Sequence, residues 1–327
     1  MEGINFNMFF NIIMIILGFG LLVLGADFLV KGSSNIAKKF HIPEMLIGLT
    51  IVALGTSAPE LIITISSATS GANDLILGNA IGSNLCNLLF ILGLMCVIRP
   101  VEIDKEAVKI HIPMAFISAI IIWCLSIGIF STPNVLDMRD GLILIFLFIL
   151  YFSYPIFTEI KDIKKAYKDN LKSDKFKHIK ISASIFFIII GIVLLKYGGD
   201  FVVDYATNIA MELNVPESVI GLTIIAIVTA MPELVTSIVA VIKKDTDLAV
   251  GNLVGSCVLN LFLILGVGAI ITPLNFSQDF NNNLIYLIIS TFVIWCFNFV
   301  GKKHILTREK GVILLLMFGF YIVRLFS

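Results

Sequence analysis

The stretch PEMLIGLTIVALGTSAPEL at residues 43–61 returns 173 residues later as PESVIGLTIIAIVTAMPEL at residues 216–234, with 12 identities in 19 positions. The chain therefore contains two copies of one unit. Each copy places a carboxylate, Glu60 or Glu233, deep inside an apolar segment. Acidic side chains are costly in lipid, and internal repeats of membrane proteins form ion sites where their halves meet. The repeat therefore predicts an ion site that contains both glutamates.

The composition excludes a water-soluble domain. Hydrophobic residues make up 58% of the chain and charged residues 14%, with a mean hydropathy of +1.01, whereas a soluble domain has roughly 25% charged residues. The net charge is zero, so the chain lacks the basic surface of a nucleic-acid-binding protein. No phosphate-binding loop, nucleophile–base pair or cofactor motif stands out in the sequence. We therefore expect neither an enzyme nor a bound cofactor.

Long apolar runs set the predicted architecture. A run of about 20 apolar residues crosses a bilayer as a helix, and these runs are too long for barrel strands and show no strand-like alternation. The sequence predicts an all-α polytopic membrane protein with ten transmembrane helices, arranged as two inverted five-helix repeats. The predicted spans are 8–30, 44–69, 75–98, 108–130, 140–158, 181–203, 217–242, 247–271, 283–301 and 310–326.

Lysine and arginine residues define the predicted orientation. Twenty of the 23 follow odd-numbered spans, and basic loops face the cytoplasm. Both termini are thus predicted to lie outside, in what we expect to be a prokaryotic plasma membrane. Because each copy has an odd number of spans, the second crosses the bilayer in the opposite sense to the first. The predicted organisation is one repeat at 1–158, a basic cytoplasmic linker at 159–180 and the inverted repeat at 181–327.

The repeated segment also predicts a broken helix. Pro59 lacks a backbone donor and crowds the carbonyl one turn earlier, and a carbonyl freed in lipid must find another partner, such as a cation. We therefore expect the carbonyls around Ala53 to Gly55 to turn toward a cavity. Thr56 and Glu60 are four residues apart and share a helix face, with Ser57 beside them. The second copy repeats this register with Ala226, Thr229, Pro232 and Glu233.

The helix after each break adds further oxygen ligands. Each copy has a serine and an asparagine four residues apart on one helix face. They are Ser83 and Asn87 in the first copy, and Ser256 and Asn260 in the second. All of these groups are hard oxygen donors, which suit Ca²⁺ or Na⁺ rather than Zn²⁺ or Cu⁺. Asn79 and its counterpart Asn252 either belong to this set of oxygen ligands or cap and orient their helices. The sequence leaves both interpretations open.

At these residues the chain resembles the cation/calcium exchanger superfamily, and in particular its sodium/calcium exchanger branch. The segments 48–61 and 221–234, each followed by a Gly-Asn…Gly-Ser…Asn helix, are similar to the two alpha repeats of that family. The resemblance implies Ca²⁺ extrusion driven by Na⁺ entry, with alternating access by sliding of spans 1 and 6. The ligands it implies are Thr56, Ser57, Glu60, Ser83, Asn87, Thr229, Glu233, Ser256 and Asn260, with the carbonyls of Ala53 and Ala226.

The chain departs from the family pattern in its second copy. Val228-Thr229-Ala230 stands where the first copy has Gly55-Thr56-Ser57. The hydroxyl that would match Ser57 is therefore missing, which weakens the expectation of a full set of sodium sites. Asn260 stands where potassium-dependent members carry Asp, which argues against K⁺ co-transport.

Three functions are compatible with these residues. The first is a Na⁺/Ca²⁺ antiporter, in which two carboxylates balance one Ca²⁺. The second is H⁺-coupled exchange of Ca²⁺ or another divalent cation, because two adjacent carboxylates do not easily stay ionised together. The third is a passive channel or a non-transporting membrane protein. We favour the antiporter, with Ca²⁺ and Na⁺ as transported ions, the lipid bilayer as its surroundings, no nucleic-acid partner and a functional monomer.

Overall fold

The structure, a computed structural model, describes residues 2–128, 132–170, 180–212, 229–301 and 303–325. These residues are predominantly helical, as predicted. The helices in chain order are α1 Glu2–Phe40, α2 Glu44–Thr56, α3 Ala58–Ser70, α4 Asn73–Ile98, α5 Ala107–Ser126, α6 Met138–Asn170, α7 Ile181–Glu212, α8 Met231–Ile242, α9 Thr246–Ile271, α10 Gln278–Phe297 and α11 Arg308–Leu325. Four two-residue strands accompany them, β1 Val101–Glu102, β2 Val135–Leu136, β3 Leu274–Asn275 and β4 Ile305–Leu306.

The helices α1 and α7 pack directly against each other through glycines. A Cβ atom on Gly18 would lie 2.9 Å from the carbonyl oxygen of Gly198, and one on Gly25 would lie 2.8 Å from that of Gly191. Small residues allow this close approach between helices in a membrane. A shift of 173 residues converts Gly18 into Gly191 and Gly25 into Gly198. The two contacts therefore exchange places when the two copies are interchanged.

The short strands show the same reciprocity. β1 pairs antiparallel with β4, with Val101 opposite Leu306, and β2 pairs antiparallel with β3, with Leu136 opposite Leu274. In each pair one strand comes from the first copy and one from the second. β1 corresponds to β3 and β2 to β4, so the two pairs are also interchanged by the repeat.

The helices α4 and α9 occupy the centre of the molecule. In the most apolar 18-residue stretch of each, 72% of the residues of α4 and 78% of those of α9 are buried. The corresponding share is 28% in α1, α6, α7 and α10. The outer helices instead expose large apolar side chains, such as Ile16 at 64% and Leu316 at 69%. An apolar exterior of this kind faces lipid rather than water. The repeated Gly-Asn…Gly-Ser…Asn segments thus form the buried core.

The described helices reproduce most but not all of the predicted spans. Seven are long and apolar enough to cross a membrane, or eight when the bent pair α2 and α3 counts as one span. The predicted span 310–326 falls on α11, whose 18 residues include four charged ones and which is not among these. Of the predicted span 217–242, residues 217–228 lie outside the described residues. The ten-span count therefore remains a prediction.

The predicted linker at 159–180 begins inside a helix. The helix α6 runs without interruption from Met138 to Asn170, so the polar residues 159–170 continue the preceding apolar span as helix. Residues 171–179 lie outside the described residues.

Candidate ion site

Each glutamate lies in the first turn of a helix that follows a break. Helix α2 ends at Thr56, Ser57 leaves helical geometry with ψ at 8°, and α3 departs at an angle of 44°. Pro59 occupies the first turn of α3, where its missing N–H costs nothing. The break predicted in the first copy is therefore present. In the second copy Ala230 precedes α8, and Pro232 again stands in the first helical turn.

This position suits a buried acid. Glu60 and Glu233 are each 1% exposed, and the amide-rich start of a helix carries partial positive charge that favours a carboxylate. The two carboxylates lie close enough to interact electrostatically. The chain therefore brings both predicted acids into one buried region, each at the start of its own helix.

The central helices supply the remaining predicted side chains. Ser83, Asn87, Ser256 and Asn260 are each at most 1% exposed. Asn87 and Asn260 lie in π-helical turns, at Cys86–Ile91 in α4 and Asn260–Ile264 in α9. Such turns widen a helix by one residue and are frequent at functional sites. The sequence contains no signal for these turns.

Two hydroxyls connect the copies reciprocally. Thr56 donates to Oδ1 of Asn252 at 3.1 Å, and Thr229 donates to Oδ1 of Asn79 at 3.2 Å. Each threonine thus contacts the asparagine of the other copy, and the 173-residue shift exchanges the two bonds. Asn79 and Asn252, which the sequence left between two interpretations, orient the threonine hydroxyls. Their recurrence beside the glutamate segments was the signal that pointed to them.

The carboxylates themselves have unequal surroundings. Oε1 of Glu233 accepts from Ser57 at 2.9 Å and from Ser256 at 3.4 Å. Neither oxygen of Glu60 has a hydrogen-bond partner among the described residues. Ala230 occupies the position that matches Ser57 and has no hydroxyl to donate. The substitution noted in the sequence thus removes one specific hydrogen bond, the one that would reach Glu60.

Several buried oxygens lack partners in the part of the chain that the structure describes. Buried polar groups in native proteins are almost always hydrogen-bonded, so oxygens without partners require an explanation. Carboxylate and amide oxygens together are the ligand set of a hard cation. At the predicted ion site these atoms are Oε1 and Oε2 of Glu60, Oε2 of Glu233, and Oδ1 of Asn87 and of Asn260.

The carbonyl of Ala53 is not freed by the break. It accepts the backbone N–H of Ser57 at 2.9 Å and is 3.3 Å from the hydroxyl of Thr56. The expectation that the break frees the carbonyls around Ala53 to Gly55 is therefore wrong for Ala53, because the chain turns at Ser57 and keeps this bond. The Thr56 hydroxyl has one proton and a nearer acceptor in Asn252, so the carbonyl retains one lone pair. Ala226 lies outside the described residues.

A cavity of about 350 Å³ reaches this region from one side. Its lining includes Asn79 and Thr229, together with three aspartates, Asp74, Asp200 and Asp204. Lys196 forms an ion pair with Asp200 at 2.7 Å. The cavity therefore connects hydroxyl and amide groups of the ion site with acidic side chains of α4 and α7.

On the symmetry-related side α9 packs tightly against α2. A Cβ atom on Gly255 of α9 would lie 2.6 Å from the carbonyl oxygen of Leu49. The residue of the second copy that corresponds to Leu49 is Leu222, which lies outside the described residues.

The sodium/calcium exchanger family model matches residues 10–157 and 183–327. The chain belongs to this family. It is similar over most of its length to the inner membrane protein YrbG of Escherichia coli, with 31% identity over 291 residues, 86% of this chain and 88% of that protein. The putative antiporter CaxA of Alkalimonas amylolytica is 30% identical over 322 residues, 96% of this chain and 98% of that protein.

Proteins named as exchangers are also similar. The sodium/calcium exchanger MaX1 of Methanosarcina acetivorans is 27% identical over 349 residues, 97% of this chain and 98% of that protein. The solved structure of the sodium-calcium exchanger NCX_Mj, soaked with Na⁺ and Ca²⁺, matches 96% of this chain and 98% of its own, with a TM-score of 0.80 and 28% identity. The chain is thus an integral membrane antiporter of the sodium/calcium exchanger family, with the helical fold of NCX_Mj.

Proposed function

We propose that this antiporter exchanges Ca²⁺ for Na⁺ at a site between the two copies, with Glu60 and Glu233 as the Ca²⁺ ligands. The observation that carries the proposal is the pair of buried carboxylates with three oxygens that lack partners among the described residues. An unpaired buried charge costs several kcal/mol, and a divalent cation removes this cost. The names of MaX1 and NCX_Mj, which are sodium/calcium exchangers, agree with these ions.

The hydroxyl and amide ligands complete the proposed site. Na⁺ would be bound, and Ca²⁺ shared, by the hydroxyls of Thr56, Thr229, Ser83 and Ser256. Further ligands would be Ser57, the amide oxygens of Asn87 and Asn260, and the carbonyls of Ala53 and Ala226. Two carboxylates balance one Ca²⁺ in charge. Three Na⁺ would leave one net positive charge, so exchange of three Na⁺ for one Ca²⁺ would move charge across the membrane.

We also propose the ten-span inverted layout, with both termini outside, the 159–180 linker in the cytoplasm and one chain as the functional unit. Support comes from the reciprocal contacts of α1 with α7 and of the four strands. β1 and β4 both follow odd-numbered predicted spans, and β2 and β3 both follow even-numbered ones. Paired strands must lie on the same side of the membrane, and the ten-span order satisfies this for both pairs.

The predicted orientation also indicates to which side of the membrane the cavity opens. Asp74 lies just before the predicted span 75–98, and Asp200 and Asp204 lie at the end of the predicted span 181–203. The predicted orientation places both positions outside, so the cavity would open to the exterior. The tight contact of Gly255 with Leu49 would close the cytoplasmic side. Alternating access requires a second state in which these two sides exchange their packing.

Radiolabelled Ca²⁺ flux into proteoliposomes tests the proposed function. Gradients of Na⁺, K⁺ and H⁺ are imposed one at a time, with the other ions equal on both sides. We expect Ca²⁺ uptake to follow an outward Na⁺ gradient and to ignore K⁺. Uptake that is indifferent to the Na⁺ gradient would refute Na⁺ coupling, and single-channel currents without counter-ion dependence would favour a passive pore.

The second candidate is H⁺-coupled exchange of Ca²⁺ or another divalent cation. The absence of described donors to Glu60 favours it, because a carboxylate without donors or cations nearby is stabilised by taking up a proton. A pH gradient alone should then drive Ca²⁺ flux in the absence of Na⁺. If a pH gradient has no effect and a Na⁺ gradient does, this candidate is excluded.

A further inference from the structure

The amide side chains of Asn87 and Asn260 can serve a cation in only one orientation. An amide group has an oxygen that accepts and a nitrogen that donates, and hard cations bind the oxygen. Asn87 is 1% exposed and Asn260 is 0% exposed, so bulk water does not compete for either end. In both residues Oδ1 has no hydrogen-bond partner among the described residues. The orientation must therefore be held through the nitrogen end.

Asn84 holds the nitrogen end of Asn260. Asn84 is fully buried in α4, its Nδ2 donates to the carbonyl oxygen of Cys257 at 3.0 Å, and its Oδ1 accepts from Nδ2 of Asn260 at 3.1 Å. A backbone carbonyl can only accept. Asn84 therefore cannot turn over without placing oxygen against oxygen, and a reversed Asn260 would meet the same repulsion. Two hydrogen bonds thus transmit the direction of a backbone carbonyl to the amide of Asn260.

The other copy has a different residue at this position. The 173-residue shift converts position 84 into Cys257. Sulfur is a weak hydrogen-bond acceptor, so a cysteine orients an amide less firmly than Asn84 does. Because the residue types differ, comparison of the repeats does not reveal the pair.

We propose that Asn84 is a positioning residue for ion binding, which keeps Oδ1 of Asn260 directed at the ion site. This inference rests on the proposed function, because it assigns Asn260 as an ion ligand. Loss of one buried hydrogen bond changes an equilibrium by about threefold to tenfold. We expect a change of this size in cation affinity, without a matching loss of protein stability, when Asn84 no longer accepts from Asn260.

A double-mutant cycle tests the inference. Asn84→Leu is made in the wild type and in Asn260→Ala, and equilibrium binding of radiolabelled Ca²⁺ is measured in detergent beside the KM for Ca²⁺ in proteoliposomes. Asn260→Ala removes the amide that Asn84 orients, so the second substitution then has no ligand to misplace. We expect Asn84→Leu to weaken Ca²⁺ binding about threefold to tenfold in the wild type and to have no further effect in Asn260→Ala.

An equal loss in both backgrounds, or no loss in either, would overturn the inference. Asn84→Ala cannot overpack the bundle and gives the same cycle if the leucine variant is not recovered. Ser290→Ala is the matched control, because Ser290 is fully buried and donates only within α10, to the carbonyl of Tyr286 at 2.7 Å. The proposed function is tested separately by the wild-type flux, so failure of Ca²⁺/Na⁺ exchange and failure of the cycle are distinct results.

Discussion

The two copies of the repeat provide the same acid with different surroundings. Glu233 accepts hydrogen bonds from Ser57 and Ser256 through one oxygen, whereas Glu60 has no partner among the described residues. The backbone framework around them is reciprocal, as the bonds of Thr56 and Thr229 to the opposite asparagines show. Two contacts account for the difference: Ala230 has no hydroxyl to match Ser57, and Ser83, the counterpart of Ser256, contacts Asn79 at 3.5 Å instead of Glu60.

This difference affects what stabilises each carboxylate when no cation is bound. Hydrogen-bond donors stabilise a carboxylate when no cation is bound, so Glu233 has a partial substitute for an ion and Glu60 does not. We therefore propose that Glu60 depends more strongly than Glu233 on a bound cation or proton. The following predictions test this comparison.

Removal of either carboxylate should have the largest effect. Glu60→Gln and Glu233→Gln keep the shape and remove the charge, and loss of one partner of a buried ion pair costs about 3–5 kcal/mol. We expect Ca²⁺ transport to fall by at least about 100-fold in both variants, with thermal stability nearly unchanged. Initial rates of Ca²⁺ uptake and a melting curve measure both effects.

Asp279→Asn, an exposed position in the first turn of α10, is the control for the same chemical change. Normal transport in Glu60→Gln or Glu233→Gln would show that the site lies elsewhere.

Removal of the Ser57 hydroxyl should make the two copies alike at this one position. Ser57→Ala deletes the 2.9 Å bond to Glu233, and a hydrogen bond to a charged group contributes about 1.5–3 kcal/mol. We expect cation affinity to change by about tenfold or more, together with a stronger dependence of transport on pH, because Glu233 loses a donor. The KM for Na⁺ and Ca²⁺ between pH 6 and pH 8 measures this; an unchanged profile would contradict the proposed role of the hydroxyl.

The two threonines should have equal effects. Thr56→Val and Thr229→Val each remove one of the reciprocal bonds to asparagine and one predicted Na⁺ ligand. We expect about threefold to tenfold weaker Na⁺ affinity in each, and the same value within error. Na⁺ titration of Ca²⁺ uptake gives the comparison. A large difference between the two variants would mean that the reciprocity of the hydrogen bonds does not extend to ion binding.

Restoration of the missing hydroxyl should have the smallest effect. Ala230→Ser places a donor at the position that matches Ser57, where it can reach Glu60 if the two copies are equivalent. Because Ala230 is 2% exposed, the extra oxygen must find a partner locally. We expect an increase of about threefold in Na⁺ affinity, measured by the same titration. A decrease would show that the second copy has adapted its packing to alanine.

Much of the fold could be predicted from the sequence because its causes are local. Apolar runs of span length, glycines at helix contacts and a proline before each glutamate act within one segment, so the helices, the break at Ser57 and the buried position of both acids agree with prediction. The number of membrane spans depends on more than local composition. The helix at Arg308–Leu325 carries four charged residues, and length and hydropathy alone do not decide whether such a helix spans.

The sequence by itself determined that the chain is a doubled unit, that each copy carries one acid beside hydroxyl and amide groups, and that the second copy lacks a hydroxyl at position 230. Only the tertiary structure decided which groups meet. It directed Ser57 to Glu233, kept the carbonyl of Ala53 hydrogen-bonded, and connected Asn84 to Asn260. The contacts of Ser57 with Glu233 and of Asn84 with Asn260 join residues 176 positions apart in the chain, where periodicity and local propensity carry no information and only the packing of one copy against the other sets distances.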